Sequence, residues 1–328
     1  MNILSQWIRS YVPGLTAADR ELAEALTLRG IAVEGVFEVG EVGNGSLFEM
    51  DITTNRVDAM NHYGIAREAA AIVDRPLASL DDTLPAPQSR TVPVKVSIEA
   101  PELCGRFTAR ALSDVRIQPS TGVVAERFAL LQQKLISNAV DATNYVTLAM
   151  GHPTHAFDRD KLEGGIVVRR ARSREKLRTL DGVERVLDQE DLVIADEKKA
   201  IGLAGVMGGW DTMITAQTKN ILVEAAWFDP ATVRRSGKRH GLHTDASHRF
   251  ERGADFNAPP VASALVSQII LQAGGFVDGE MVDVVVPEAL ARTASRRPIG
   301  LSHAQVRRML GSTDDGRGVE QETTESVL

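Results

Sequence analysis

Five of the chain's seven histidines fall between His152 and His248, in two polar, glycine-containing stretches, G-H-P-T-H-A-F-D (151–158) and K-R-H-G-L-H-T-D-A-S-H-R-F-E-R-G (238–253). Segments crowded with titratable and small residues make poor core and good sites. Imidazole can bind a metal, move a proton or position water. H-P-T-H and H-G-L-H both have the i, i+3 spacing of a metal pair. Pro153 and Gly241 break helical geometry inside the pairs, however, and no H-E-x-x-H or neighbouring carboxylate set completes a ligand group, so no metal site is expected. His152, His240 and His248 read as histidines bonded to nearby backbone. Glu224 is the odd residue of I-L-V-E-A-A-W-F. A carboxylate among apolar neighbours either faces outward from its strand or is buried and awaits a partner, and the spacing leaves both open. G-L-A-G-V-M-G-G (202–209) lacks the spacing of a dinucleotide loop and the G-K-[ST] of a P-loop. Gly205, Gly208 and Gly209 instead offer missing Cβ atoms, for close approach of a ligand or of another strand. No G-x-S-x-G marks a serine nucleophile.

The elements that must position these residues read as α+β and multidomain. Thr16 with Asp19 opens a periodic run that stops at Gly30, the pattern of a capped helix. Two strands, 31–39 and 47–54, flank the loop 40–46, and H-Y-G-I-A-R-E-A-A-A-I-V-D follows as a helix. A Pro-rich polar linker begins at Pro76. Beyond it come strands at V-P-V-K-V-S-I and R-F-T-A-R-A-L, a helix near 120–134, short strands about the D-G turn of T-L-D-G-V, and the strands that carry Gly205 and Glu224. The helix D-P-A-T-V-R-R-S-G-K-R and an apolar helix from P-P-V-A-S complete this part. The last segment is expected to hold one strand and one helix, followed by a tail with little to bury.

A chain of 328 residues with 43% apolar content exceeds one comfortable core. No run is apolar for long enough to cross a bilayer, and the amphipathic N-terminus is interrupted by Arg9, so a cytoplasmic protein without a membrane partner is expected. The single Cys104 excludes a disulfide framework and reads as a packed residue. A net charge of −7 argues against a general polyanion binder. Two local basic clusters remain. V-V-R-R-A-R-S-R-E-K-L-R (167–178) reads as the solvated face of an edge strand, whereas Arg234, Arg235, Lys238, Arg239, Arg249 and Arg252 frame the second histidine stretch.

Taken in order, E-M-D-I-T-T-N-R-V-D-A-M-N-H-Y-G-I-A-R-E (49–68), V-D-A-T-N-Y-V (140–146), G-H-P-T-H-A-F-D, the G-G-W that follows G-L-A-G-V-M, L-V-E-A-A-W-F and R-H-G-L-H-T-D-A-S-H-R-F-E-R-G resemble the β subunit of bacterial phenylalanyl-tRNA synthetase. The resemblance implies an N-terminal β-subunit module at 1–85, lacking the family's usual OB-fold insert, and a mixed-sheet B3/B4 editing domain at 90–290. An incomplete B5-like segment at 295–328 would follow. It implies hydrolysis of tyrosine mischarged onto tRNA(Phe), with tRNA(Phe) and the synthetase α subunit as partners. No cofactor is implied for editing; ATP and Mg2+ are implied only for the complete synthetase. Carried over by motif, His155 and Thr244 are the catalytic candidates, while Glu224, Gly208, Ala246, Pro153, Thr143 and Asn144 form the substrate pocket. Lys134, which stands where the family carries arginine, is expected to contact the tRNA together with Arg239 and Arg249.

In this reading an ionised Glu224 accepts a hydrogen bond from the tyrosine phenol, and Gly208 and Ala246 are small so that the ring fits between them. His155, Thr244 and backbone amides hold the water or the developing oxyanion. Two other readings compete: a noncatalytic tRNA-binding or subunit-interaction module, and a His-dependent metallohydrolase.

Overall fold

The computed structural model describes residues 1–41, 45–90, 92–295, 298–313 and 316–327; residues 42–44 of the loop 40–46, and 296, 297, 314 and 315 of the last segment, lie outside the described residues. Met1–Leu290 forms one compact unit and Ala291–Leu328 a second. The fold is mixed α+β with several sheets.

The first unit begins with an antiparallel sheet in the order Asn2–Leu4, Ser46–Asp51, Ala32–Glu38. Helices Ser5–Tyr11, Asp19–Thr27 and His62–Val73 close over a core that includes Ile3, Leu22, Phe48 and Ile65. The helix Asp19–Thr27 is not capped by Thr16 as expected. Ala18 is its N-cap, and its amide donates to the Glu21 carboxylate at 3.1 Å. Asp19 is drawn elsewhere, accepting from Arg9 at 2.6 Å and from the Ser5 hydroxyl at 2.8 Å.

Asn61 caps the helix His62–Val73, its side chain accepting from the Gly64 amide at 2.7 Å. A Cβ at Gly64 would stand 1.8 Å from the Asp58 carbonyl oxygen and 2.9 Å from its carbon. Glycine to alanine within a helix ordinarily stabilises by up to about 1 kcal/mol. Gly64→Ala is therefore expected to invert that sign, losing roughly 1–3 kcal/mol through displaced backbone and lowering the thermal midpoint. An unchanged or raised midpoint would show that this contact does not constrain the turn.

The rest of the unit is built on two larger sheets. One runs Met207–Gly208, Ala200–Leu203, Leu192–Ala195, Ile166–Arg170, Val96–Ile98; the other runs Phe276–Val277, Cys104–Ser113, Ile221–Phe228, Thr154–Asp158, with Val282–Val285 also pairing to Cys104–Ser113. They share a core, in which Phe107, Phe157 and Leu222 of one sheet pack with Val168, Val193 and Ile201 of the other. The outer face of the second sheet carries Val223 and Ala225. These pack with the helices Asn138–Met150 and Pro259–Leu271 through residues such as Ala142, Val146, Val266 and Ile270.

The helix Asn138–Met150 was marked in the sequence only by its motif. Ser137 caps it, accepting from the Val140 amide, and Gly151 ends it with φ +77°. The strand Ile166–Arg170, read as an edge, is instead interior, flanked by Val96–Ile98 and Leu192–Ala195. Its Arg169 is buried in a bidentate pair with Glu175 at 2.7 and 2.8 Å, while Arg170, Arg172, Arg174, Lys176 and Arg178 are exposed, so the solvated face expected there is present with that one exception.

The N-terminal module is pinned to the Asn138–Met150 helix. The Trp7 ring stacks on His62 at 3.9 Å and on Tyr145 at 4.6 Å, with the Arg127 guanidinium 4.3 Å above it. His62 accepts from the Leu4 amide at Nε2 (3.1 Å) and bonds the Leu148 carbonyl through Nδ1 (2.8 Å). That pattern fixes one neutral tautomer, with the proton on Nδ1.

In the second unit the helices His303–Leu310 and Gln321–Val327 bury no residue, and the strand expected there is absent among the described residues. No helix among the described residues is long and apolar enough to cross a membrane.

Candidate functional site

Glu224 faces inward. Along Ile221–Phe228, Leu222, Ala226 and Phe228 belong to the core between the two sheets, while Ile221, Val223 and Ala225 face the helices, so the period of two puts Glu224 on the inner face. It is 6% exposed, and its Oε2 has no hydrogen-bond partner among the described residues. Burial alone pushes its carboxyl up to about 8. With its value near 8, the group is mostly a carboxylic acid at neutral pH. This corrects the ionised acceptor expected from the sequence.

Directly across the antiparallel ladder from Glu224 is His155, on Thr154–Asp158. Its ring meets Phe157 edge-on at 4.5 Å, and its Nε2 is sealed from the surface without a partner. Burial pushes the imidazole down to about 4, so it is neutral at pH 7 and a weaker base than its ordinary value promised. From the facing sheet comes Gly208, whose Cβ, if present, would lie 2.4 Å from His155 Cε1 and 2.5 Å from Nε2. Its smallness seats the imidazole, rather than leaving space for a substrate ring as expected.

Glu224, His155, Gly208, Ala246, Pro153 and Asn144 share one cavity of about 300 Å³. Thr244 also borders it, but not as a free hydroxyl. Its Oγ1 donates to the Val206 carbonyl at 2.8 Å and accepts from the Ser247 amide at 3.0 Å, as the N-cap of the short helix Asp245–Phe250. Thr244 thus places Ala246, and with its proton committed to Val206 the hydroxyl can accept from a substrate hydroxyl but cannot donate to a developing oxyanion. Thr143 lies one residue from the wall, buried, with its hydroxyl donating to the Val140 carbonyl at 2.7 Å; Asn144 is the residue that reaches the cavity.

Gly202 and Leu180 also line the cavity and were not singled out from the sequence. Gly202 pairs with Gly208 in the ladder, and a Cβ there would meet nothing closer than 3.8 Å. Two glycines side by side on neighbouring strands were the available signal.

The basic candidates divide. Lys134 is exposed. Arg239 is bound to the fully buried Asp191, which also accepts from the Ser236 hydroxyl at 2.8 Å and pairs with His240 Nε2 at 2.7 Å. His240 is thus held by a carboxylate rather than by backbone. Arg249 is buried, its Nη1 donating to the Asp245 carbonyl and carboxylate at 2.9 and 3.1 Å, and it meets solvent only where it borders a neighbouring cleft. Cys104 is fully buried, and burial pushes its thiol up, as suits a packed residue.

Chemically, the cavity combines apolar walls with two sunk polar groups that lack partners. A buried polar atom without a partner costs about 1–3 kcal/mol, so Glu224 and His155 are placed to take hydrogen bonds from whatever fills the cavity, water or ligand.

The sequence profile of the B3/4 domain matches residues 103–275, the span that carries every one of these cavity residues. The phenylalanine–tRNA ligase β subunit of Anaeromyxobacter dehalogenans is 44% identical over 286 residues, covering 83% of this chain and 34% of that protein. That of Geobacter metallireducens is 40% identical over 311 residues, covering 91% of this chain and 38% of that protein. The chain thus spans about a third of the length of the curated relatives it matches. A solved N-terminal fragment of the phenylalanyl-tRNA synthetase β subunit from Pyrococcus horikoshii covers 96% of this chain and 86% of that one at 13% identity, with a TM-score of 0.42. With more than half of its residues inside the matched span, the chain belongs to the B3/4 domain family, among relatives that are phenylalanine–tRNA ligase β subunits.

Proposed function

We propose that the chain is part of a phenylalanine–tRNA ligase β subunit, acting in the cytoplasm with tRNA(Phe) and an α subunit, and that its cavity hydrolyses tyrosine esterified to tRNA(Phe). The observation that carries this reading is the buried Glu224 carboxyl, its Oε2 without a partner, in the wall of a cavity of about 300 Å³. An amino-acid site shaped for phenylalanine rejects an added hydroxyl only weakly, so a second site must test for that hydroxyl. The Glu224 acid can donate to or accept from a phenol, and phenylalanine leaves it unsatisfied.

In the reaction, a water oxygen bonds to the ester carbonyl carbon, the bond to the ribose oxygen breaks, and a proton from the water ends on that ribose hydroxyl. His155, neutral and with a free Nε2, supports the reaction as a hydrogen-bonding anchor for the water or the terminal ribose. Neither ATP nor Mg2+ enters this hydrolysis.

The test is deacylation of Tyr-tRNA(Phe) against Phe-tRNA(Phe) by the chain, beside Gly208→Ala. The chain is expected to deacylate the tyrosyl ester faster. Gly208→Ala, by displacing His155, is expected to slow this at least about tenfold with the fold retained by circular dichroism. Equal rates for both esters, no faster than without protein, would remove the reading.

A further inference from the structure

A second group of side chains lies outside the Glu224 cavity. His243, His248 and Glu251 each offer one ligand atom, all within 4.8 Å of one another. His248 and Glu251 are three residues apart at the end of the helix Asp245–Phe250 and its C-cap, which puts them on one face. His243 precedes the N-cap, and its ring meets that of His248 edge-on at 5.4 Å. Among the described residues no ring nitrogen of either histidine takes a hydrogen bond. Glu251 gives one oxygen to Arg252 at 2.5 Å and keeps the other. Both imidazoles line a cleft of about 620 Å³, which gives a solvated ion a path in.

We propose that His243, His248 and Glu251 form a binding site for a divalent transition-metal ion of the Zn2+ class. Two imidazoles and one carboxylate are the donor set such ions prefer, whereas Mg2+ favours oxygen ligands and retained water. A tetrahedral ion with bonds near 2.1 Å needs donor atoms roughly 3.4 Å apart, so side-chain rotation of about an ångström closes the set. The exposure of His243 leaves the fourth position to water. The spacing, five residues and then three, matches no familiar metal motif, and it becomes a cluster only because the chain turns at Thr244. The three ligands straddle Thr244 and Ala246, so the ion clasps the short helix that walls the neighbouring cavity.

The untagged, metal-stripped chain is titrated with ZnCl2 and separately with MgCl2 by calorimetry, and its thermal midpoint is recorded with each. One equivalent of Zn2+ is expected to bind and raise the midpoint, while Mg2+ at the same concentration does neither. His243→Ala, at an exposed position, is expected to keep the metal-free midpoint, and His243→Ala and Glu251→Gln are each expected to weaken Zn2+ binding at least about tenfold. Absence of a saturable 1:1 isotherm, or Zn2+ binding by both variants as tight as wild type, overturns the proposal.

Discussion

Glu224→Ala is expected to collapse the preference for Tyr-tRNA(Phe) over Phe-tRNA(Phe), by the roughly 5- to 150-fold that an unmade bond to a buried neutral group of about 1–3 kcal/mol represents. Glu224→Gln is expected to retain much of the preference at pH 7. The carboxyl is an acid there, held up to about 8 by its burial, and a carboxamide of the same shape also offers one donor side and one acceptor side. In the wild type the Tyr-to-Phe ratio should be flat below pH 7 and rise through pH 8. Above that value phenylalanine would leave a bare charge where it had left only a neutral dipole. The measurement is single-turnover deacylation of both esters across that range, corrected for spontaneous hydrolysis. A Glu224→Ala chain that still prefers the tyrosyl ester as the wild type does would show that some other group reads the hydroxyl.

Acid is expected to destabilise the fold well above the range in which paired carboxylates are lost. His62, His152 and His155 are all pushed down by burial, to about 3, 4 and 4. In the unfolded chain each takes a proton near pH 6.5, and in the folded chain not until several units lower, so the unfolded state binds the extra protons. Their contribution is complete above about pH 6.5 and is lost as pH falls toward 4. Three such groups correspond to a slope of at most about 4 kcal/mol per pH unit.

Glu224 works in the opposite direction. Its folded value is raised, so between about 4.5 and 8 the folded state holds the extra proton and gains stability as pH falls. The net is about two protons, or roughly 3 kcal/mol per unit below pH 6, a large part of the 5–15 kcal/mol typical of a folded domain. Urea midpoints at pH 7.5, 6 and 5 should drop steeply over the last unit. His62 adds a structural reason, because protonating Nε2 breaks its bond from the Leu4 amide. Equal midpoints at pH 7.5 and 5 would mean that these imidazoles reach solvent without unfolding.

Much of the site was legible before any coordinates. Glu224, His155, Gly208, Ala246, Pro153 and Asn144 come from five separate stretches and converge on one cavity. What stayed hidden follows from physics that a linear pattern does not carry. The strand of Glu224 is buried on both faces, so its hydropathy shows no alternation and could not tell inward from outward. Titration states depend on burial, which is why an ionised Glu224 and a titratable His155 were read where the fold makes both neutral. Thr244 and Arg249 carry the right chemistry, but the Thr244 hydroxyl is held by Val206 and Ser247 and the Arg249 Nη1 by Asp245, partners fixed only when the short helix docks. The helix Asn138–Met150 escaped because Asn, Asp and Thr interrupt its run. Its core contacts are the small Ala139, Ala142, Val146 and Ala149, whose spacing is helical once sought.

The stacked rings of Trp7, His62 and Tyr145 bear on how the molecule can be divided. Tyr145 is the neighbour of Asn144, and the face it presents is covered by residues from the first 62 positions, beside Leu131 and Ala149. Excising the 103–275 segment alone would strip that cover, leave an aromatic patch bare and cut the tether from His62 to the Leu148 carbonyl. The smallest soluble fragment that keeps the pocket wall in place must therefore begin at the first strand, and trimming from that end should yield aggregation rather than a tidier catalyst.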